Sequence, residues 1–208
     1  MSKYLIRPTK ATMAELPEFS GLPLCRIHLV NNTELLHFAA TELNACTHLG
    51  FDTESKPTFI KGEASTGPHL IQLATTEHAF LFQILPEQGV ASATHQLLTQ
   101  VLQSPNIVKV GFGLSSDRKP LWRNLGIVLN TSFELSSAIK QMGYQQQVGL
   151  QAGVALVLAE YLPKSKRQTL SNWAAKPLSE AQLHYAANDA YASLWVYLIM
   201  KRWHLSGN

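Results

Sequence analysis

Hydrophobic and polar positions follow two different rhythms along the chain. In the first part, short apolar runs predict strands at residues 26–30, 48–52, 70–74 and 79–82, with a helix capped by Asn32 between the first two. From residue 91 onward, apolar positions spaced three and four apart alternate with short apolar runs. This second rhythm predicts strands at 107–110 and 127–129, and helices at 91–103, from 115 or 116, and at 133–142, 150–158 and 179–203.

Strands arranged first as a meander and then in alternation with helices predict an α/β fold in which a mixed β-sheet is flanked by α-helices. A chain of 208 residues has room for one domain with an extension. Residues 1–21 show no sustained period and end in a stretch punctuated by Pro and Gly. We therefore expect an irregular N-terminal extension at 1–21 and a single domain at 22–208.

Composition excludes several classes of protein. Hydrophobic residues make up 46% of the chain and charged residues 15%, which is typical of a globular domain with a sizeable core. No apolar run reaches the roughly 20 residues that a membrane span requires, and the first residues contain no apolar signal region. Cys25 and Cys46 form neither a zinc knuckle nor a disulfide framework. We expect a cytoplasmic protein, and its net charge of +3 is compatible with a polyanionic partner without requiring one.

Two carboxylates close the strand predicted at 48–52. Asp52 and Glu54 are two positions apart, so in an extended strand both side chains point to the same face. Such a pair suits a divalent cation. Taken alone, the same pattern is more simply explained as the end of a strand.

Two further carboxylates lie at informative positions. Asp117 stands where a strand passes into a helix, after the glycines Gly111 and Gly113, and could simply complement the helix dipole. The third glycine of a dinucleotide-binding loop is missing, so we discard a nicotinamide site. Asp189 lies within the last helix, with Tyr185 four positions earlier on the same face. A tyrosine–aspartate hydrogen bond or a pairing with a basic residue would also explain Asp189.

If the fold brings the four carboxylates together, they indicate a cation-binding site. Two charges about 4 Å apart repel by about 4 kcal/mol at an effective dielectric of about 20, so several such pairs rival the whole stability of a domain. A cation must then occupy the space between them. Hard oxygen ligands select Mg²⁺ or Mn²⁺ over zinc, and two such ions close together are a known device for phosphodiester cleavage.

Three segments in order resemble the motifs of the DEDD superfamily of 3′-5′ exonucleases, in the branch whose third motif contains tyrosine: 51–54 (FDTE), 110–117 (VGFGLSSD) and 185–189 (YAAND). The flanking segments 69–74 (HLIQLA) and 170–173 (LSNW) are similar to ribonuclease D and to Werner-type exonuclease domains. The resemblance covers roughly residues 24–203. Three ordered motifs are far more specific than any one of them.

The resemblance implies a ribonuclease H-like fold and a hydrolase that removes nucleotides from the 3′ end of single-stranded DNA or RNA as 5′-monophosphates. It implies two divalent cations, Mg²⁺ or Mn²⁺, of which Asp52 would bind both. Glu54 and Asp189 would bind the ion that activates water, and Asp117 would support the second ion. Tyr185 would orient the attacking water. We expect a stand-alone catalytic domain, without the helical appendage of ribonuclease D or an attached helicase.

Several side chains close to the motifs are candidate contacts for the nucleic-acid strand: Thr53, Lys56, Phe59, Arg118, Lys164, Lys166 and Arg167. A short basic run could equally be a solvated loop. Two other functions stay open at this point, a catalytically silent nucleic-acid-binding module and a hydrolase of small nucleotides. The choice between DNA and RNA and the oligomeric state are also open.

Overall fold

The structure, a computed structural model, describes residues 7–57, 66–85, 91–144, 146–163 and 165–206, without the side chains of 166 and 204–206. Within these ranges, six strands form one mixed sheet in the order β1-β4-β3-β2-β5-β6. Strand β3 runs antiparallel to both of its neighbours, and all other pairs are parallel. The predicted mixed sheet is therefore confirmed. The strands are β1 (Ile27–Leu29), β2 (His48–Glu54), β3 (Leu70–Ala74), β4 (Ala79–Gln83), β5 (Val108–Gly111) and β6 (Ser132–Glu134).

Helices cover both faces of this sheet. Helix α2 begins after Asn32, whose side-chain oxygen accepts a hydrogen bond of 2.8 Å from the backbone N–H of Leu35, so the predicted cap is confirmed. The described helices are α1 (Lys10–Ala14), α2 (Thr33–Asn44), α3 (Ser92–Gln103), α4 (Leu114–Leu125), α5 (Leu135–Gln141), α6 (Leu150–Val157), α7 (Lys166–Thr169) and α8 (Glu180–Ser206). No helix in these described ranges is long and apolar enough to cross a lipid bilayer.

The alternation of side chains along β2 separates the core from the site. Leu49 and Phe51 are fully buried in the core that α2, α3 and α4 form on one face of the sheet. Positions 50, 52 and 54 point to the other face, where α8 packs against the same strand. Strand β2 therefore anchors the core with one face and carries the two carboxylates on the other.

The prediction of a strand at 127–129 is wrong. Ile127 and Leu129 are buried and Val128 is exposed, which produces the alternation typical of a strand. The backbone of this segment does not pair with a strand. The N–H of Ile127 donates to the carbonyl of Leu121, near the end of α4, and the N–H of Asn130 donates to the carbonyl of Leu102, near the end of α3. The sixth strand, β6, pairs with β5 a few residues later.

The start of α5 also differs from the prediction. Phe133 belongs to β6, and the helix begins only at Leu135. The Glu134 carboxylate accepts a hydrogen bond of 3.1 Å from the backbone N–H of Ser136, which caps α5. A side-chain cap of this kind fixes the first turn of a helix.

The segment 7–21 packs on the α8 side of the domain. It contains the short helix α1, and the side chains of Met13 and Phe19 are buried against residues of α6 and α8. The backbone N–H of Phe19 donates to Tyr161, and that of Tyr161 donates to Pro17. The division of the chain at residue 21 stays a prediction.

A lysine is fully buried in the core. Lys109 on β5 points to the face that α3 covers, and its ammonium donates to three carbonyl oxygens at the end of α3 and in the following turn: Val101 at 3.3 Å, Ser104 at 2.9 Å and Ile107 at 2.6 Å. Burial lowers the pKa of Lys109 to about 8. The three acceptors favour the charged form, so the ammonium acts as a cap for the end of α3.

We expect Lys109→Met to lower the free energy of unfolding by about 2 kcal/mol, because the substitution leaves buried carbonyls without their donor. Urea unfolding measures this change. The exposed Lys119 provides the matched control, and Lys119→Met should leave stability within about 0.5 kcal/mol of wild type. Equal stability of the two variants would contradict the capping role of Lys109.

Candidate active site

Three acidic side chains from two elements meet at one end of the sheet. Asp52 and Glu54 project from β2, and Asp189 projects from α8. One carboxylate oxygen of each lies within 4.8 Å of the others. Asp189 is 4% exposed, whereas Asp52 and Glu54 are half-buried, so the cluster opens toward solvent on one side. Residues far apart in sequence thus form one acidic cluster.

A glycine allows α8 to approach β2. Gly50 lies two positions before Asp52 on the same face, and a Cβ atom placed there would come within 2.0 Å of the carbonyl oxygen of Ala190. No real structure accommodates that distance, and backbone cannot move aside as a side chain can. Any larger residue at position 50 would therefore displace α8, and with it the adjoining Asp189.

The fourth carboxylate, Asp117, lies in the first turn of α4. Its Oδ1 accepts a hydrogen bond of 2.5 Å from the hydroxyl of Thr53, which lies between Asp52 and Glu54 on β2. Gly113 precedes this helix with a positive φ of 75°. Glu134 accepts hydrogen bonds from the N–H groups of Gly113 and Leu114, at 3.0 Å and 2.8 Å, and so holds the beginning of α4. Asp117 is thereby fixed beside the cluster without belonging to its innermost group.

The electrostatics of the site show that the acids share one environment. Burial raises the pKa of Asp52 well above its ordinary value, and three carboxylates raise it further: Asp189, Glu54 and Asp117. Burial also raises the pKa of Asp117 to about 6, with Glu134 adding to the increase and the Thr53 hydrogen bond opposing it. Oxygen ligands that repel one another in this way fit a hard divalent cation, which would neutralise them.

Tyr185 lies one turn before Asp189 on α8, as its spacing predicts. Its hydroxyl is 3.2 Å from that of Thr169 on α7, and its ring packs at 6.0 Å from the indole of the fully buried Trp173. The ring is 9% exposed. These contacts orient the phenol on the face of α8 that carries Asp189.

The candidate substrate contacts differ in their surroundings. The Thr53 hydroxyl is engaged by Asp117, and the guanidinium of Arg118 donates to the carbonyl of Leu129 and the hydroxyl of Ser132, both at 2.7 Å. Lys56 and Arg167 are exposed. Contact of these four with a nucleic acid stays a prediction. Three candidates lie outside the described residues or side chains: Phe59, Lys164 and Lys166.

The sequence does not indicate the role of His69, whose ring joins Lys56, before the segment 58–65, to Thr66, after it. Its Nδ1 accepts the backbone N–H of Lys56 at 3.0 Å, so Nε2 carries the proton toward the hydroxyl of Thr66 at 3.1 Å. Its own backbone N–H donates to the carbonyl of Glu54. The histidine is 2% exposed. A lone histidine before a strand gives no sequence signal for this role.

Comparisons with known proteins agree with this geometry. Residues 27–203 match the 3′-5′ exonuclease family. Ribonuclease D of Gluconacetobacter diazotrophicus is 30% identical over 182 residues, which cover 86% of this chain and 44% of that protein. The bifunctional 3′-5′ exonuclease/ATP-dependent helicase WRN of Mus musculus is 34% identical over 151 residues, 72% of this chain and 10% of WRN. The chain thus spans less than half the length of either relative.

A solved structure shows the same fold. The EXO domain of Aedes aegypti Nibbler superposes with a TM-score of 0.73 at 24% identity, covering 87% of this chain and 89% of that domain. The fold is ribonuclease H-like, as the resemblance implied. The chain belongs to the 3′-5′ exonuclease family, a class of hydrolases within the DEDD superfamily.

The repulsion within the cluster leads to a prediction for the cation-free protein. An acid whose pKa is higher in the folded state than its ordinary value of 3.8 binds protons more tightly when folded, so the protein loses stability as the pH rises from the ordinary pKa through the folded pKa. Asp52→Asn should therefore be more stable than wild type in EDTA at pH 7.5. The difference should shrink toward pH 5, as the wild-type carboxylates take up protons.

Urea unfolding in EDTA at both pH values measures this difference. Histidines whose pKa burial lowers, such as His28 and His78, are present in both proteins and cancel in the comparison. An Asp52→Asn protein that is less stable than wild type at pH 7.5 would show that the cluster carries no net repulsion.

Proposed function

We propose that this domain is a two-metal 3′-5′ exonuclease of the tyrosine-containing branch, which acts on single-stranded 3′ ends of DNA or RNA and releases nucleoside 5′-monophosphates. The observation that carries the proposal is the meeting of Asp52, Glu54 and Asp189 within 4.8 Å. Asp117 on α4 and Tyr185 on α8 complete the set of five side chains that the sequence motifs predict.

The donor set fits divalent cations, Mg²⁺ or Mn²⁺, because it consists of carboxylate oxygens that repel one another when it is empty. When bound, a pair of such ions supplies a nucleophilic water at neutral pH and stabilises the leaving oxygen. Asp52 would bind both ions, as the resemblance of the motifs implies, and the three other acids lie close enough to raise its pKa. Glu54 and Asp189 would hold the ion on the side of the attacking water, and Asp117 the ion on the side of the leaving oxygen.

Tyr185 would orient the attacking water by a hydrogen bond from or to its hydroxyl. The phenol is a weak base at neutral pH, so we assign it a geometric role rather than proton abstraction. Its contacts with Thr169 and Trp173 limit the movement of the ring, which such a role requires.

Binding of the strand would rest on its phosphates, which basic side chains contact without regard to sequence. The exposed Lys56 lies two positions after Glu54, and the exposed Arg167 belongs to α7, the helix that contacts Tyr185 through Thr169. Arg118 would contact a phosphate only through those guanidinium N–H groups that do not donate to Leu129 or Ser132. One relative is a ribonuclease and another combines a 3′-5′ exonuclease with a helicase, so we propose nucleic acid, DNA or RNA, as the substrate class.

Asp52→Asn and Asp189→Asn should abolish nucleotide release, and Tyr185→Phe should slow it by about 10²-fold, because the first two remove cation ligands and the third removes only a positioning group. The assay uses 5′-labelled DNA and RNA oligonucleotides with Mg²⁺, Mn²⁺ or EDTA. Stepwise shortening from the 3′ end that stops in EDTA is the expected wild-type result.

Glu77→Gln is a matched control, because it makes the same carboxylate-to-amide change at an exposed residue paired with Arg26 outside the cluster. It should retain wild-type activity. Full activity of Asp52→Asn would contradict the assignment. Binding of oligonucleotides without cleavage would favour the silent module, and turnover of mononucleotides alone would favour the small-nucleotide hydrolase.

A further inference from the structure

A buried amide next to the acidic cluster has no hydrogen-bond partner among the described residues. Gln72 on β3 is fully buried, and neither its Nε2 nor its Oε1 bonds to any residue that the structure describes. In the part of the chain that the structure describes, only two other buried side-chain atoms share this property, the hydroxyl of Thr99 and the indole nitrogen of Trp173. A buried polar group without a hydrogen-bond partner lowers the stability of the folded protein, so Gln72 destabilises the fold at this position.

The register of the sheet places this amide beside Asp52. Gln72 is directly opposite Asp52 in the antiparallel β2–β3 ladder, so the two side chains share a face and their Cβ atoms are about 5 Å apart. On its other side, Gln72 is opposite Leu81 of β4. Within this row of the sheet the carboxylate of Asp52 is therefore the polar neighbour of the amide.

An apolar side chain of similar length would fill the same space without this cost. The amide adds two N–H donors next to a carboxylate that has about four lone-pair sites for donors and cations. Side chains that bond to the ligands of a cation fix the orientation of those ligands. The position of Gln72 suits the orientation of Asp52, since Gln72 lies opposite Asp52 in the sheet and is fully buried from solvent.

We propose that Gln72 is a positioning residue for Asp52. Its Nε2 donates a hydrogen bond to the Asp52 carboxylate when the cluster holds cations, and this bond directs the remaining lone pairs of Asp52 toward them. The proposal rests on the proposed function, because it assigns Asp52 to a cation site. Gln72 itself contacts neither cation nor nucleic acid.

The test replaces the amide by an apolar side chain of similar size, Gln72→Met, in the full chain. Titration of the EDTA-treated, dialysed protein with Mn²⁺ by calorimetry should show an affinity lowered by about 10-fold, the lower end of the effect of losing a group that orients a ligand. The Tm in EDTA should be equal to or higher than that of wild type, because an unpartnered amide is removed. In the nuclease assay kcat should fall while KM for the oligonucleotide stays unchanged.

Thr99→Val is the matched control, because it also removes an unpartnered buried polar atom, but on α3 and away from the cluster. Its Mn²⁺ affinity should equal that of wild type. All titrations are made at a temperature where circular dichroism shows fully folded protein, and Gln72→Leu replaces Gln72→Met if the latter does not fold.

Wild-type Mn²⁺ affinity in the Gln72 variant, or an equal loss in Thr99→Val, overturns the role of Gln72 and leaves the proposed function intact. Failure of the wild-type protein to bind Mn²⁺, or unchanged binding in Asp52→Asn, overturns the proposed function as well. A loss confined to the Gln72 variant, with kcat alone affected, supports the positioning role.

Discussion

Helix α8 can lie against strand β2 only because position 50 has no side chain. The carbonyl of Ala190 occupies the place that a Cβ atom at position 50 would take. Asp189 is the residue next to Ala190, so this contact also sets the position of Asp189 relative to β2. The same approach that packs the helix on the sheet therefore brings its carboxylate to those of Asp52 and Glu54. Packing and function share one contact, and the mutual repulsion of the acids is the cost of that arrangement in the absence of a cation.

The elements that carry the site were predictable because each has a local signal. The apolar run ending in Asp52 and Glu54 predicts a strand with both acids on one face, and the four-residue spacing of Tyr185 and Asp189 predicts one face of a helix. The convergence of these elements could be inferred only through the resemblance of three ordered motifs. Neither the spacing of the acids nor the periodicity of the apolar residues predicts the distance between β2 and α8.

What the sequence could not reveal depends on long-range contacts. The alternation at 127–129 imitates a strand because Ile127 and Leu129 enter the core, yet the backbone of the segment bonds to helix ends. Likewise, the position of Arg118 next to a motif acid does not indicate that its guanidinium bonds to the 129–132 segment. The role of His69 depends on the contacts of its two ring nitrogens with Lys56 and Thr66, which are ten residues apart in the sequence.

Two buried polar side chains illustrate different uses of the interior. The ammonium of Lys109 donates to three carbonyls and so stabilises the end of a helix. Gln72 lies opposite an acid of the cluster and has no hydrogen-bond partner in the described part of the chain. A polar group that is paired in the folded chain is explained by stability, and one that is left unpaired needs another explanation. For Gln72 that explanation is its place opposite Asp52 in the β2–β3 ladder, a place that the equally unpaired hydroxyl of Thr99 on α3 does not share.

The convergence of the acids on shared cations is tested most directly by anomalous scattering from a crystal of the protein grown with Mn²⁺. The account predicts manganese peaks between β2 and α8, coordinated by oxygens of Asp52, Glu54 and Asp189, with Asp117 beside the second peak. Manganese bound elsewhere, or no peak in contact with Asp52, would contradict it.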